Sequence, residues 1–290
     1  MIKFKGCGTA LFTPFKGGKP DLDAMAACVR AQVEAGIDFL VPLGTTGETP
    51  CLSDAEKLDV YRCTRENAGG LPVVVGVGTN SVAGTVANIR LLHEADAFLV
   101  VAPYYNKPPQ RGMYEYFKAV ASETPKPVIL YNVPGRTGSN IEAETALKLA
   151  SDVPNIVAVK EASGKLDQVR AIIKGAPSGF DVISGNDGDT FELMKDGAAG
   201  VISVASNVVP GLMAEFVHAM QKGEFARAEG MDRSLAPLFD ALFVEPNPIP
   251  GKAAMALLGL MENSLRLPLV PALPATVELM KKTLEDLGVL

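Results

Sequence analysis

Glu34-Ala-Gly-Ile-Asp-Phe-Leu-Val-Pro-Leu-Gly44, His93-Glu-Ala-Asp-Ala-Phe-Leu-Val-Val-Ala-Pro103 and Asp196-Gly-Ala-Ala-Gly-Val-Ile-Ser-Val-Ala-Ser206 repeat one pattern. In each, a helix end passes through Gly, Ala or Asp into a strand that is apolar along its whole length. Strands of that kind, alternating with helices, imply a parallel sheet covered by helices. Working outward from these three, the sequence predicts eight strands, near 7–12, 38–43, 72–77, 97–102, 127–132, 156–160, 181–184 and 199–204. Amphipathic helices lie between them. Asp21 caps a helix whose Leu22, Met25, Ala26, Val29 and Val33 repeat at helical spacing, and Ser53 with Glu56 forms a capping-box signature for the next. Eight β/α units in about 220 residues fit an α/β fold of the (β/α)8 TIM barrel type, with a doubly wound open sheet as the alternative. The barrel is expected over 1–222. A small helical region is expected over 223–290, with helices at 224–243, 252–261 and 274–287.

Composition narrows the chemistry. The 290 residues are 48% hydrophobic and 21% charged, with a net charge of -6, which excludes a disordered, collagen-like or coiled-coil chain. Only His93 and His218 are present, too few for a multi-histidine metal site, and both sit near predicted helix C-termini, where a structural role is expected. The cysteines at 7, 28, 51 and 63 form no C-x-x-C pair and suit a reduced, cytoplasmic protein. Met1 to Gly8 lacks the apolar run of an export signal, and no stretch is long and apolar enough to span a bilayer. A mildly acidic surface without Lys/Arg clusters argues against nucleic acid or an anionic membrane as partner.

In a β/α barrel the active site lies at the C-terminal ends of the strands. Those ends carry Gly44-Thr-Thr-Gly-Glu48, Pro103-Tyr-Tyr-Asn106, Tyr131-Asn-Val-Pro-Gly-Arg-Thr-Gly138, Lys160 and Ser184-Gly-Asn-Asp187. Lys160 is the unusual one, because it ends a buried strand on the face shared by Ile156 and Ala158. Pointed into a barrel, its ammonium would lose water and its pKa would fall, the condition for a Schiff-base lysine; a structural ion pair is the alternative. The Gly-Thr-Thr-Gly turn offers N–H and hydroxyl groups to a small carboxylate, but lacks the Gly-Lys-Ser/Thr ending of a phosphate loop. Tyr131 and Tyr105 could move protons, and Arg136 could grip a carboxylate, although taken singly a strand-end tyrosine is more often packing and the arginine more often a surface residue. Asn186-Asp-Gly-Asp189 has the acidic spacing of a calcium-loop start without the later Glu.

Taken together, these motifs resemble the dihydrodipicolinate synthase family, from Gly8-Thr-Ala-Leu-Phe-Thr-Pro14 through Val159-Lys-Glu-Ala162 and Gly200-Val-Ile-Ser203 to Pro246-Asn-Pro-Ile-Pro250 and Leu265-Arg-Leu-Pro268. The resemblance implies a lyase of the diaminopimelate route to lysine that joins pyruvate to L-aspartate 4-semialdehyde through an imine on Lys160. It implies that Tyr131 assists imine formation, that Thr46 links Tyr131 to Tyr105 in a proton relay, and that Tyr105 comes from a neighbouring subunit of a homotetramer built from dimers. It places Thr45, Thr46, Arg136, Gly185 and Ile202 around the substrates. It implies no metal and no organic cofactor. Asp54, Lys57 and Gly84 depart from the polar set of lysine-inhibited members, although Asn80 and Tyr104 match, so weak or absent inhibition by lysine is expected. The rivals are N-acetylneuraminate lyase or a keto-deoxy-sugar aldolase on the same barrel, and a non-catalytic metabolite-binding barrel. Gly135-Arg-Thr137 favours the synthase, and the joint presence of Lys160, Tyr131, Thr46 and Arg136 favours catalysis.

Overall fold

A computed structural model describes residues 4–290; Met1 to Lys3, part of the stretch read above for an export signal, lie outside the described residues. Eight strands and their helices alternate along the chain. We number the strands β1 Gly6–Ala10, β2 Phe39–Val41, β3 Val74–Gly76, β4 Ala97–Val101, β5 Val128–Asn132, β6 Ile156–Glu161, β7 Asp181–Ser184 and β8 Gly200–Ser203. They fall at the eight predicted places: β7 matches its predicted bounds, β6 runs one residue further, β1 starts one residue earlier and ends two earlier, and the other five are shorter by one to three residues where the apolar run turns into loop.

The chain divides into two compact units. One holds Val73–Ile202 with Phe4 and Lys5. Within it β3 through β8 pair in parallel, each strand with the next in chain order. A doubly wound sheet would reverse that order at a switch point, so this unbroken succession is that of a barrel wall. The strands are buried along nearly their whole length, as continuous apolar runs require when helices cover one face and a core fills the other.

The second unit holds Gly6–Pro72 and Ser203–Leu290. Here β1 pairs in parallel with β2, with Gly8 opposite Phe39. Helix α1, Leu22–Glu34, is capped by Asp21, whose carboxylate accepts from the Ala24 N–H at 3.1 Å. Helix α2, Asp54–Asn67, begins with the complete Ser53–Glu56 capping box. A two-stranded ribbon, Phe15–Lys16 against Lys19–Pro20, precedes α1. It was not anticipated, although its signal is local: Gly17 and Gly18 both take positive φ, which suits a two-residue hairpin turn. Three helices follow residue 222, at Phe225–Ala241, Ile249–Leu257 and Pro274–Asp286. The middle one starts three residues before its predicted position because Pro250 lies in its first turn, where a missing N–H costs nothing.

Candidate active site

In the first unit the site begins with strand pairing. β5 and β6 run side by side with Tyr131 opposite Lys160 and Asn132 opposite Glu161. Side chains alternate across a strand, so these two pairs face opposite ways. Asn132 donates to Glu161 Oε1; Ser163 Oγ donates to Glu161 Oε2 at 2.5 Å, and Gln168 Nε2 to Oε1 at 3.2 Å. Gln168 belongs to the helix Leu166–Gly175, so Glu161 faces the helical layer and Lys160 the other side. Burial raises the Glu161 pKa, and its hydrogen bonds oppose that.

Lys160 is 5% exposed, and its Nζ stands 4.5 Å from the centre of the Tyr131 ring. Burial brings the ammonium pKa down from 10.5 to about 8; the Asp187 carboxylate works against the fall and the Arg136 guanidinium with it. The predicted desolvation of this amine is therefore present. Asp187 is itself buried, in the short 3-10 turn after β7. In the sequence Asp187 stands out only as a loop acid, because its partner lies on a different strand.

The other expected residues of this unit fall as follows. Arg136 lies exposed on the one-turn helix Pro134–Thr137 directly after β5. Ile202 is fully buried in β8. Gly185 donates its N–H to the Glu161 carbonyl at 2.7 Å, and a Cβ there would come within 2.6 Å of Ala162 Cβ. Only glycine lets the end of β7 press so closely on the end of β6. Tyr105 adopts φ 73° and is 88% exposed, and its N–H reaches the Thr137 carbonyl at 3.3 Å. That bond stitches the loop after β4 to the loop after β5.

In the second unit the Gly-Thr-Thr-Gly turn forms a 3-10 helix, Thr45–Gly47, closed by the Gly47 N–H on the Gly44 carbonyl at 3.1 Å. Thr45 is exposed and Thr46 buried. The turn is held by groups to which the sequence reading assigned no role. Thr13 Oγ1 donates to the Gly47 carbonyl at 2.8 Å, and Asn247 Nδ2 donates to Thr46 Oγ1 at 2.9 Å. Glu48, left-handed at φ 52° and without side-chain exposure, meets the equally buried Lys252 Nζ at 2.5 Å and the Arg266 N–H at 3.0 Å. Lys252 also donates to the Ser264 carbonyl at 2.9 Å and lies 4.2 Å over the Phe15 ring. Burial lowers the Lys252 pKa, while Glu48 opposes the fall. Asn247 and Arg266 lie in the Pro246–Pro250 and Leu265–Pro268 motifs; their distance from the turn along the chain hid the contacts.

No group of three His, Cys, Asp or Glu side chains is arranged to hold a metal ion among the described residues, nor is any helix among them long and apolar enough to cross a membrane. His218 Nε2 pairs with Asp38 at 2.9 Å and His93 Nδ1 lies 3.1 Å from the Arg90 carbonyl, both in structural contacts.

Comparison with known proteins agrees with this geometry. The model of the dihydrodipicolinate synthetase family matches residues 3–287. The 4-hydroxy-tetrahydrodipicolinate synthase of Thermotoga neapolitana is 47% identical, covering 99% of this chain and all of that protein; that of Phocaeicola vulgatus is 46% identical over 100% of this chain and 99% of the relative. Among solved structures, the dihydrodipicolinate synthase of Thermotoga maritima superposes with a TM-score of 0.96 at 46% identity, covering 99% of each chain. A monomeric dihydrodipicolinate synthase variant superposes with a TM-score of 0.97 at 45% identity, covering 99% of this chain and 98% of the variant. The fold is accordingly the (β/α)8 barrel that the strand count predicted. With whole-length likeness added to a desolvated strand-end lysine, the chain belongs to the dihydrodipicolinate synthetase family.

Proposed function

We propose that this protein is a lyase that condenses pyruvate with L-aspartate 4-semialdehyde, as a 4-hydroxy-tetrahydrodipicolinate synthase, with Lys160 as the imine-forming residue. The carrying observation is the buried Lys160 amine at the end of β6, its pKa brought to about 8 beside the Tyr131 ring. The neutral amine attacks C2 of pyruvate, and loss of one water gives the imine. Removal of a proton from C3 gives an enamine, whose C3 attacks the aldehyde carbon of the second substrate. The amino group of that substrate then adds to C2, which closes the ring and returns the Lys160 amine.

Tyr131 serves the proton transfers at C2, since a phenol both donates and accepts. Thr46 and Tyr105 form the remainder of the relay, a reading that family likeness supports, with Tyr105 supplied by the second subunit of a dimer. Its exposure and left-handed backbone support that reading, for a tyrosine held outward at φ 73° is placed to meet something beyond its own chain. Thr45, Thr46, Gly185 and Ile202 line the pyruvate end, and Arg136 holds the carboxylate of the semialdehyde. No resident metal or organic cofactor is invoked, because the lysine itself is the electron sink. Lysine inhibits weakly or not at all: Lys57 is paired with Asp54 at 2.9 Å and Gly84 offers no side chain. The protein works in the cytoplasm, on the reading of its reduced cysteines.

Borohydride reduction in the presence of pyruvate, followed by peptide mass spectrometry, tests the mechanism. The adduct is expected on Lys160, and an adduct on another lysine defeats the proposal. Turnover with N-acetylneuraminate in place of aspartate 4-semialdehyde would assign the chain to the sugar-acid lyases instead.

A further inference from the structure

We infer that Asn247 is a positioning residue that sets the direction in which the Thr46 hydroxyl passes a proton. The inference rests on the synthase reading above and adds to it a residue outside the expected site. Thr46 and Asn247 are separated by 201 positions, yet Asn247 Nδ2 stands 2.9 Å from Thr46 Oγ1, and the two residues are 4% and 5% exposed. A carboxamide nitrogen has N–H donors and no acceptor, so Thr46 receives this bond. A hydroxyl has one proton to give. With Asn247 occupying an acceptor position, that proton is turned away from Asn247 and toward the next group in the relay. An isolated hydroxyl would rotate between donating and accepting; the amide removes one of those choices.

The surroundings make the contact rigid. Thr46 sits in a 3-10 turn closed by the Gly44 carbonyl, and two positions later Glu48 meets Lys252 at 2.5 Å. Asn247 and Lys252 flank the start of the helix Ile249–Leu257, so the turn is tethered twice to one element. The ion pair alone would fix the position of the turn. The amide adds something an ion pair cannot supply, a fixed donor and acceptor sense at Oγ1.

A double-mutant cycle on the full-length enzyme tests this. Asn247→Ala is expected to lower kcat by about tenfold while the KM for pyruvate changes by less than about threefold. In a Thr46→Val background, where no hydroxyl remains to be oriented, the same substitution is expected to lower kcat by less than about twofold. An equal loss in both backgrounds would show that Asn247 acts elsewhere and would overturn the inference. Asn247→Asp, which keeps the shape but presents only acceptors when ionised, decides the matter if the alanine variant does not fold. It is expected to lose at least about tenfold in kcat, and retention of more than about half of wild-type kcat would overturn the inference. Wild-type enzyme without turnover on pyruvate and aspartate 4-semialdehyde would instead remove the synthase reading, and this inference with it.

Discussion

At Lys160 a buried amine and the acid one position further on are held apart by the strand that carries both. Alternation along Ile156–Glu161 separates Lys160 from Glu161, and in the structure the acid meets Asn132, Ser163 and Gln168 while the amine lies over the Tyr131 ring. The opposing charge was not legible, because Asp187 reaches Lys160 through space from the turn after β7. Two predictions belong at this scale. With the pKa at about 8, about 9% of the amine is free at pH 7, some 300-fold more than an ordinary lysine would offer. The rate of borohydride-trapped adduct formation should therefore climb through pH 8 and level off above it, and a rate still climbing at pH 10 would contradict the shift. Folding carries the cost. Between pH 8 and 10.5 the unfolded lysine holds a proton that the folded one lacks, so stability rises with pH across that window, and below it the cost is about 3 kcal/mol. Lys160→Met should abolish adduct formation and raise the free energy of unfolding at pH 7 by up to that amount in urea titrations.

At the scale of elements, helix boundaries and caps were written in local sequence, whereas the supports of the Thr45–Gly47 turn were not. Asp21, Ser53 and Glu56 act on backbone within three residues, so pattern alone reveals them. Glu48, Lys252 and Arg266 meet only after more than 200 residues of chain have folded between them. Arg266 also grips Glu56 and the carbonyls of Cys51 and Gly18, and its guanidinium holds the Glu56 carboxyl down to about 2. One motif position thereby joins the capping box, the hairpin and the turn. Removing one charge of the buried pair should be worse than removing both. Lys252→Met is expected to cost about 3–5 kcal/mol because Glu48 stays buried, and adding Glu48→Leu should recover most of it. A double variant as unstable as the single one would mean that Glu48 relaxes to water.

For the whole molecule, the repeat of eight apolar strands pointed to the barrel, because each β/α unit carries its own signal, but left a doubly wound sheet as the alternative until the strand pairing was seen. Chain association is different, since sequence patterns say little about a surface that another chain covers. Mixing two inactive proteins probes it directly. If Tyr105 serves the neighbouring subunit, Lys160→Ala and Tyr105→Phe chains, unfolded and refolded together, should regain up to roughly a quarter of wild-type activity, since half the dimers are mixed and each has one complete site. No regain would place Tyr105 in its own chain's site. The two histidines supply a contrasting control. Asp38 also accepts the Cys7 N–H at 2.7 Å, so it keeps a partner when His218 is lost. Replacing His93 and His218 together should cost about 1 kcal/mol of stability and leave kcat within about twofold.

Among the described residues two lysines are buried, with opposite fates, which has a practical use. Lys252 is locked against Glu48 and the Ser264 carbonyl, its charge compensated where it lies. Lys160 keeps a reactive fraction of neutral amine at physiological pH. A compact α-keto acid bearing a reporter group, followed by mild reduction, would mark Lys160 and pass over Lys252, as well as the protonated amines of the surface. The desolvation that suits Lys160 to carbon–carbon bond formation also makes it a handle for selective labelling and for reversible covalent inhibitors.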